Sequence, residues 1–291
     1  MRGREAVLTL VAAAGLQAAG FSGASALEYT RRVVAFGERY PGSPGHRKVQ
    51  EFIRREAARF GGKLEEHGFV AETPRGKIRM TNFILCFPGS SGETVVVSGH
   101  YDTKRIPGVR FVGANDGGSS TGFLLELARA LSGRRRKLTV CLVWFDGEEA
   151  FGAWSERDGL YGSRRLAEMW RRQGILERIR ALINVDMIGD RDLGILREGY
   201  SVASLVRLIW ATARELGYGR HFLAERGFVE DDHVPFLRLG VRAANLIDFD
   251  YGEDNRYWHT AEDTVDKLEA RSFQVVGEVV LKVIGKLESR R

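Results

Sequence analysis

The chain has 291 residues, of which 44% are hydrophobic and 28% charged, and a formal net charge of +6. That balance excludes wholesale disorder, collagen and coiled coil, and the length suffices for one large α/β domain with a sizeable core. The positive charge is thinly spread. Arg134-Arg135-Arg136-Lys137 is the one dense basic run; without interleaved aromatics it reads as a solvated turn ahead of a strand, not a nucleic-acid surface. Two cysteines, Cys86 and Cys141, exclude a disulfide scaffold or a four-cysteine zinc site; both lie in apolar runs and are expected to be buried free thiols.

In chain order, Arg2 and Arg4 precede an apolar stretch, Ala6 to Leu16, followed by small residues. This is the layout of a secretory signal peptide and is too short to span a bilayer. The expectation is a leader over residues 1–20, cleaved near Ala18–Gly20 or as late as after Ala26. An exported single domain over 27–291, with no membrane span, would follow. An extra N-terminal helix is the other reading of the same residues.

Ala26–Phe36 reads as a short helix, Tyr40-Pro41-Gly42-Ser43-Pro44-Gly45 as a turn, and His46–Phe60 as a helix with Val49, Phe52 and Ile53 on its buried face. Strands are predicted at Lys63–Thr73, Arg79–Phe87, Thr94–Gly99, Leu138–Phe145, Ile179–Asp186 and Arg242–Ile247, the first two forming a hairpin around Pro74-Arg75-Gly76. Helices alternate with them at Thr121–Leu131, Ser163–Arg171, Val202–Leu216 and Ser272–Leu287. The pattern predicts a three-layer α/β/α fold around a mixed, mostly parallel sheet.

Metal-ligand types gather just after the predicted strands: His100 and Asp102, Glu148 and Glu149, and Asp186. In open α/β sheets the carboxyl ends of parallel strands form the ligand crevice, so these groups can converge. Asp116 adds a carboxylate on the glycine-rich loop Gly113–Gly118, and His259 a late imidazole beside Trp258. Singly, each has a bland reading: a core histidine, a capping aspartate, a solvated loop. Together they are costly to bury without a cation, and the mixed nitrogen and oxygen set suits zinc. One catalytic zinc needs three protein ligands, so either two metals bind or the surplus forms a proton network. Asp102 has the spacing of a hydrogen-bond acceptor for His100. For adjacent Glu148 and Glu149, one binding metal and the other moving protons is the natural division.

Several motifs carry a resemblance. His100-Tyr101-Asp102, Gly113-Ala114-Asn115-Asp116, Glu148-Glu149, Asp186 and Trp258-His259-Thr260 are similar to the zinc-dependent aminopeptidase superfamily. Phe145–Phe151 with Trp154-Ser155 and Asp158, Leu160–Arg164, Asp231–Arg238 and the early turn Tyr40–Gly45 resemble its glutaminyl cyclase branch, from about Leu27 to the C-terminus. The resemblance implies cyclisation of N-terminal glutamine of peptides to pyroglutamate with loss of ammonia. It implies one zinc held by Asp116, Glu149 and His259, with Glu148 as general acid/base. Asp186 and Asp231 would share its hydrogen-bond network, and Trp154 and Trp258 would wall the substrate pocket. The dinuclear peptidases use the equivalents of His100 and Asp186 for a second metal, so a two-metal aminopeptidase is the rival enzyme and a non-catalytic binding module the rival from another class. Two departures stand out. Gly99 and Thr121 occupy the positions of a disulfide found in some cyclases, and Asn245 stands where those carry a histidine. Gly118-Ser119-Ser120-Thr121-Gly122 also fits a serine-hydrolase elbow, but follows a polar glycine-rich loop where that motif needs a strand.

Overall fold

The computed structural model describes residues 20–289; the proposed leader at Ala6–Leu16 lies outside them. The elements in order are α1 (Gly23–Val34), α2 (Pro44–Ala58), β1 (Lys63–Thr73), β2 (Gly76–Phe87), β3 (Thr94–His100), α3 (Gly118–Leu131), β4 (Thr139–Phe145), α4 (Tyr161–Arg172), β5 (Ile179–Asp186), β6 (Ile195–Glu198), α5 (Ala203–Glu215), β7 (Phe222–Gly227), α6 (Val234–Arg238), β8 (Ala243–Ile247) and α7 (Ala270–Ser289). Six strands form one sheet in the order β1-β2-β4-β3-β5-β8. β1, β2 and β4 pair antiparallel; β4, β3, β5 and β8 run parallel. The predicted mixed α/β/α architecture is therefore the observed one.

Strand residues alternate between two cores, as the period of two demands. Val95, Val97, Leu142, Trp144, Ile183 and Val185 join the large core shared with α1, α2, α3, α5 and α7. Val96, Val143, Phe145 and Leu182 face the smaller core under α4 and α6. Of α3, every residue but Arg129 is buried. At Gly122 a Cβ would collide with Ala26 O, so the glycine is what lets α1 lie directly on α3.

Two expectations meet structural detail here, and one element is new. Cys86 and Cys141 are not free thiols. They sit opposite each other on β2 and β4, with Cα atoms 4.0 Å apart, and are joined as a disulfide. Apolar flanks signalled burial correctly, but strand register, which decides the pairing, was not legible. The first described residues are built into the fold: Phe21 packs on Phe123 and Ser22 caps α1. A cut near Ala18–Gly20 leaves these contacts whole, whereas a cut after Ala26 removes them. Finally, the short parallel pair β6–β7 was not anticipated, because β6 has four residues and only one residue of β7 is buried.

Candidate active site

β3 and β5 are neighbours whose connections leave to opposite sides, β3 towards β4 and β5 towards β8, and this opens a crevice at the carboxyl ends of the parallel strands. His100 ends β3, Asp186 ends β5, and Glu148 and Glu149 follow β4. The loop before α3 brings Asp116, and the segment after β8 brings Trp258 and His259. His259 adopts φ of +55°, a left-handed conformation uncommon outside glycine and concentrated at functional positions.

Two groups of ligand atoms converge. His259 Nε2 lies 3.0 Å from Glu149 Oε1 and 3.2 Å from Asp116 Oδ2. His100 Nε2 lies 3.2 Å from Asp116 Oδ1 and 3.2 Å from Asp186 Oδ1. Asp116, Glu149 and His259 form one potential metal-holding trio and His100, Asp116 and Asp186 another, sharing Asp116. The first trio's two oxygens and one imidazole nitrogen suit a catalytic zinc with an open position.

The surroundings explain why the loops hold still. Asp102 accepts hydrogen bonds from the backbone N–H groups of Glu148 (3.1 Å) and Glu149 (3.3 Å), and its Oδ1 stands 3.5 Å from His100 Nδ1. It therefore orients the glutamate pair more directly than the histidine it was expected to serve. Asp263 accepts from the N–H groups of Asn115 and Asp116 and from the Tyr251 hydroxyl. Fully buried Arg39 donates to the carbonyls of Tyr101, Val112, Gly113 and Asp116, tying the end of β3 to the Asp116 loop. Burial lowers its pKa to about 10, with Asp263, Asp116 and Asp102 opposing, so it stays cationic at neutral pH. Neither Arg39 nor Asp263 carried a sequence signal, since both types are usually exposed.

Eight carboxylates are buried here: Asp102, Asp116, Glu148, Glu149, Asp186, Asp231, Asp232 and Asp263. Burial, reinforced by Glu149, Asp231 and Asp232 against the opposing charge of His100, lifts Glu148 well above the usual carboxylate range. Burial also pushes Asp186 up to about 7, with Asp231 and Asp116 adding to it and His100 opposing. Glu149 and Asp116 outweigh burial at His259 and raise it to about 10. So much negative charge calls for a cation.

Asp231 reaches Glu148 by charge, while the hydrogen bonds of Asp186 and Asp231 run elsewhere. Asp186 accepts from the Met187 N–H and contacts His100; Asp231 accepts from Asn245 Nδ2 at 2.7 Å and from the Asp232 N–H. Asn245 thus props Asp231 from below. At Gly99 a Cβ would come within 2.6 Å of both Ser120 Cβ and Val185 O, and Thr121 Oγ1 bonds back to Gly117 O. Close packing and hydroxyl bonds tie β3 to α3 in place of a disulfide. Ser120 donates to His100 O and Gly117 O within the first turn of α3, so it is no strand-end nucleophile.

A cavity of about 570 Å³ opens over this cluster, and Trp154 and Trp258 both line it. Trp258 stacks on His259 with centroids 4.0 Å apart and meets Phe249 edge-on. Trp154, 40% exposed, is anchored by Nε1 to Glu230 Oε2 at 3.3 Å. Neither indole is a mere core residue. Lys104, Tyr200, Phe228, Val229, Glu230 and Phe249, which sequence reasoning did not single out, complete the rim.

Comparison with known proteins agrees with this geometry. Residues 82–284 match peptidase family M28. The chain is 31% identical over 257 residues to a glutaminyl-peptide cyclotransferase of Drosophila melanogaster, covering 79% of this chain and 72% of that one. The crystal structure of an Acidobacteriales bacterium glutaminyl cyclase superposes with a TM-score of 0.90 at 38% identity, over 94% of this chain and 97% of that chain. A Zn-dependent exopeptidase from Parabacteroides distasonis superposes at 0.83 with 26% identity, over 94% and 100%. The chain belongs to peptidase family M28 and, within it, to the glutaminyl-peptide cyclotransferases.

Proposed function

We propose that this protein cyclises the N-terminal glutamine of peptides and proteins to pyroglutamate, releasing ammonia, with one zinc at Asp116, Glu149 and His259. The observation that carries the reading is the indole-walled cavity set directly over the Glu148–Glu149 pair, in a chain of this family. When bound, the zinc polarises the side-chain amide carbonyl of the substrate glutamine. Glu148 takes a proton from the α-amino group as its nitrogen attacks the amide carbon, then delivers that proton to the departing ammonia. Burial, together with the charge of Asp231, keeps Glu148 protonatable, while Asp186 holds His100. Trp154 and Trp258 confine the side chain so that it folds back on its own amine, an orientational task more than a chemical one. Trp258 also fixes the His259 ring by stacking on it.

One observation favours a second reading. His100, Asp116 and Asp186 converge as a second ligand group, the arrangement a two-metal aminopeptidase would use to activate water. In the cyclase reading His100 Nε2–H takes that place by bridging the two carboxylates. Export is part of the proposal: Arg2 and Arg4 ahead of Ala6–Leu16 supply the leader pattern, and the Cys86–Cys141 bridge suits an oxidising compartment. No helix among the described residues is long and apolar enough to cross a membrane.

The decisive assay is ammonia release from a glutamine-initiated peptide beside hydrolysis of leucine and alanine p-nitroanilides. Ammonia release with inert anilides is expected. Rapid anilide hydrolysis without ammonia, accompanied by two tightly held metals per chain, would move the assignment to the aminopeptidase.

A further inference from the structure

Among the described residues, Tyr200 and Phe228 are two of the few large apolar side chains left open to solvent, at 54% and 64% exposure. Both stand at the mouth of the same cavity whose floor holds Glu148, Glu149 and His259. Their rings meet edge to face with centroids 5.4 Å apart. The Phe228 ring lies against the backbone of Gly199, where any Cβ would collide with it.

This exposed pair is braced from beneath. Glu198, 4% exposed, accepts from Tyr200 N and Val229 N on one oxygen, and from Ser201 N, Ser201 Oγ and His233 Nε2 on the other. One buried carboxylate thereby pins the loop after β6 and the loop after β7, each of which carries one ring. Gly199 N also donates to Gly227 O, closing the two loops on each other. Rings held this firmly lose little entropy on contact, which favours a ligand that meets them. The nearby Glu230 carboxylate is already engaged by Arg238 and Trp154.

We propose that Tyr200 and Phe228 form the subsite for the residue following the N-terminal glutamine, selecting peptides whose second side chain is large and apolar, aromatic above all. The shelf is continuous with the catalytic cavity, and a peptide whose first side chain lies on the floor must leave through the mouth. The inference rests on the cyclase reading and specifies its substrate class.

The test is kcat/KM for ammonia release from Gln-Phe-Ala, Gln-Leu-Ala, Gln-Lys-Ala and Gln-Gly-Ala amides, with wild type, Tyr200→Ser, Phe228→Ser, the double serine variant and Phe228→Tyr. Each variant's preference is taken as its own Phe-to-Gly ratio, so loss of active protein cancels. The wild-type ratio is expected to be about tenfold, the worth of one aromatic contact, expressed mainly in KM. It should fall towards one in the double variant and persist in Phe228→Tyr. Ammonia from every peptide with a flat wild-type ratio, a ratio unmoved by the double variant, or a preference for lysine over phenylalanine would overturn the shelf while leaving the cyclase reading intact. Absence of ammonia from all four peptides would overturn the cyclase reading and the shelf with it.

Discussion

Replacing Arg39 with methionine separates what holds the site from what performs the chemistry. The guanidinium is fully buried and lies 3.0 Å from Tyr101 O and 2.9 Å from Gly113 O, with Val112 O and Asp116 O also in reach. Methionine fills much of the volume, so the cavity left is small, but the carbonyls lose their donor and Asp116 and Asp263 lose a buried cation. A buried polar group left without a partner costs roughly 1–3 kcal/mol, and breaking a buried charge interaction roughly 3–5 kcal/mol in all. Partial relaxation of the loop argues for a total of about 3–5 kcal/mol. In a domain of this size each kcal/mol moves the melting midpoint by about 2–4 °C, so a fall of roughly 6–20 °C is expected. Because the freed loop carries Asp116, zinc affinity should also drop by about 10–100-fold, the usual consequence of losing a group that orients a ligand. Thermal unfolding followed by circular dichroism and a competitive chelator titration measure the two effects. Wild-type melting together with wild-type zinc affinity would refute the reasoning.

The adjacent glutamates should part company: Glu149→Gln should lose zinc on dialysis, while Glu148→Gln should keep it and lose about 10²–10⁴-fold in kcat, and identical behaviour would contradict the division of roles. The metal-free protein should lose stability as pH rises. A histidine held at about 10 when folded stabilises the fold fully below its unfolded value of ~6.5 and loses that contribution as the pH climbs through about 10. Urea midpoints across that window should fall for the metal-free protein and much less for the zinc-loaded one, since metal replaces the proton on His259. Removing the disulfide by Cys86→Ala with Cys141→Ala should cost roughly 2–4 kcal/mol in urea unfolding, because the bridge closes a loop of 55 residues. Turnover should be retained, because Cys141 lies near the start of β4, away from the end that carries Glu148.

Where a feature is written in periodicity or in a short motif, the sequence carried it. Val95 to Val97 and Leu142 to Trp144 alternate between the two cores, and β1 and β5 occupy the spans their apolar patterns predicted. Glu149 follows a strand and Asp116 a glycine-rich turn, positions visible in the chain, whereas His259 was marked only by its motif with Trp258. What stayed hidden depends on register or on distant partners. The Cys86–Cys141 bond needs β2 and β4 aligned residue by residue. Arg39 finds its carbonyls more than sixty residues away, and Asp102 serves backbone N–H groups in the next strand's loop. Short β6 and β7 are set by Glu198 bracing and not by an apolar pattern, so the aromatic shelf they support was invisible too.

The central claim is that Glu148 moves a proton for the substrate's own amine and not for a water molecule. The most direct measurement is the mass spectrum of a glutamine-initiated peptide incubated with the zinc-loaded protein, read beside the Glu148→Gln variant. A product of unchanged length, lighter by one ammonia and no longer reactive towards amine reagents, formed by the wild type and scarcely by the variant, is the expected result. Free glutamine beside a peptide one residue shorter would contradict the account.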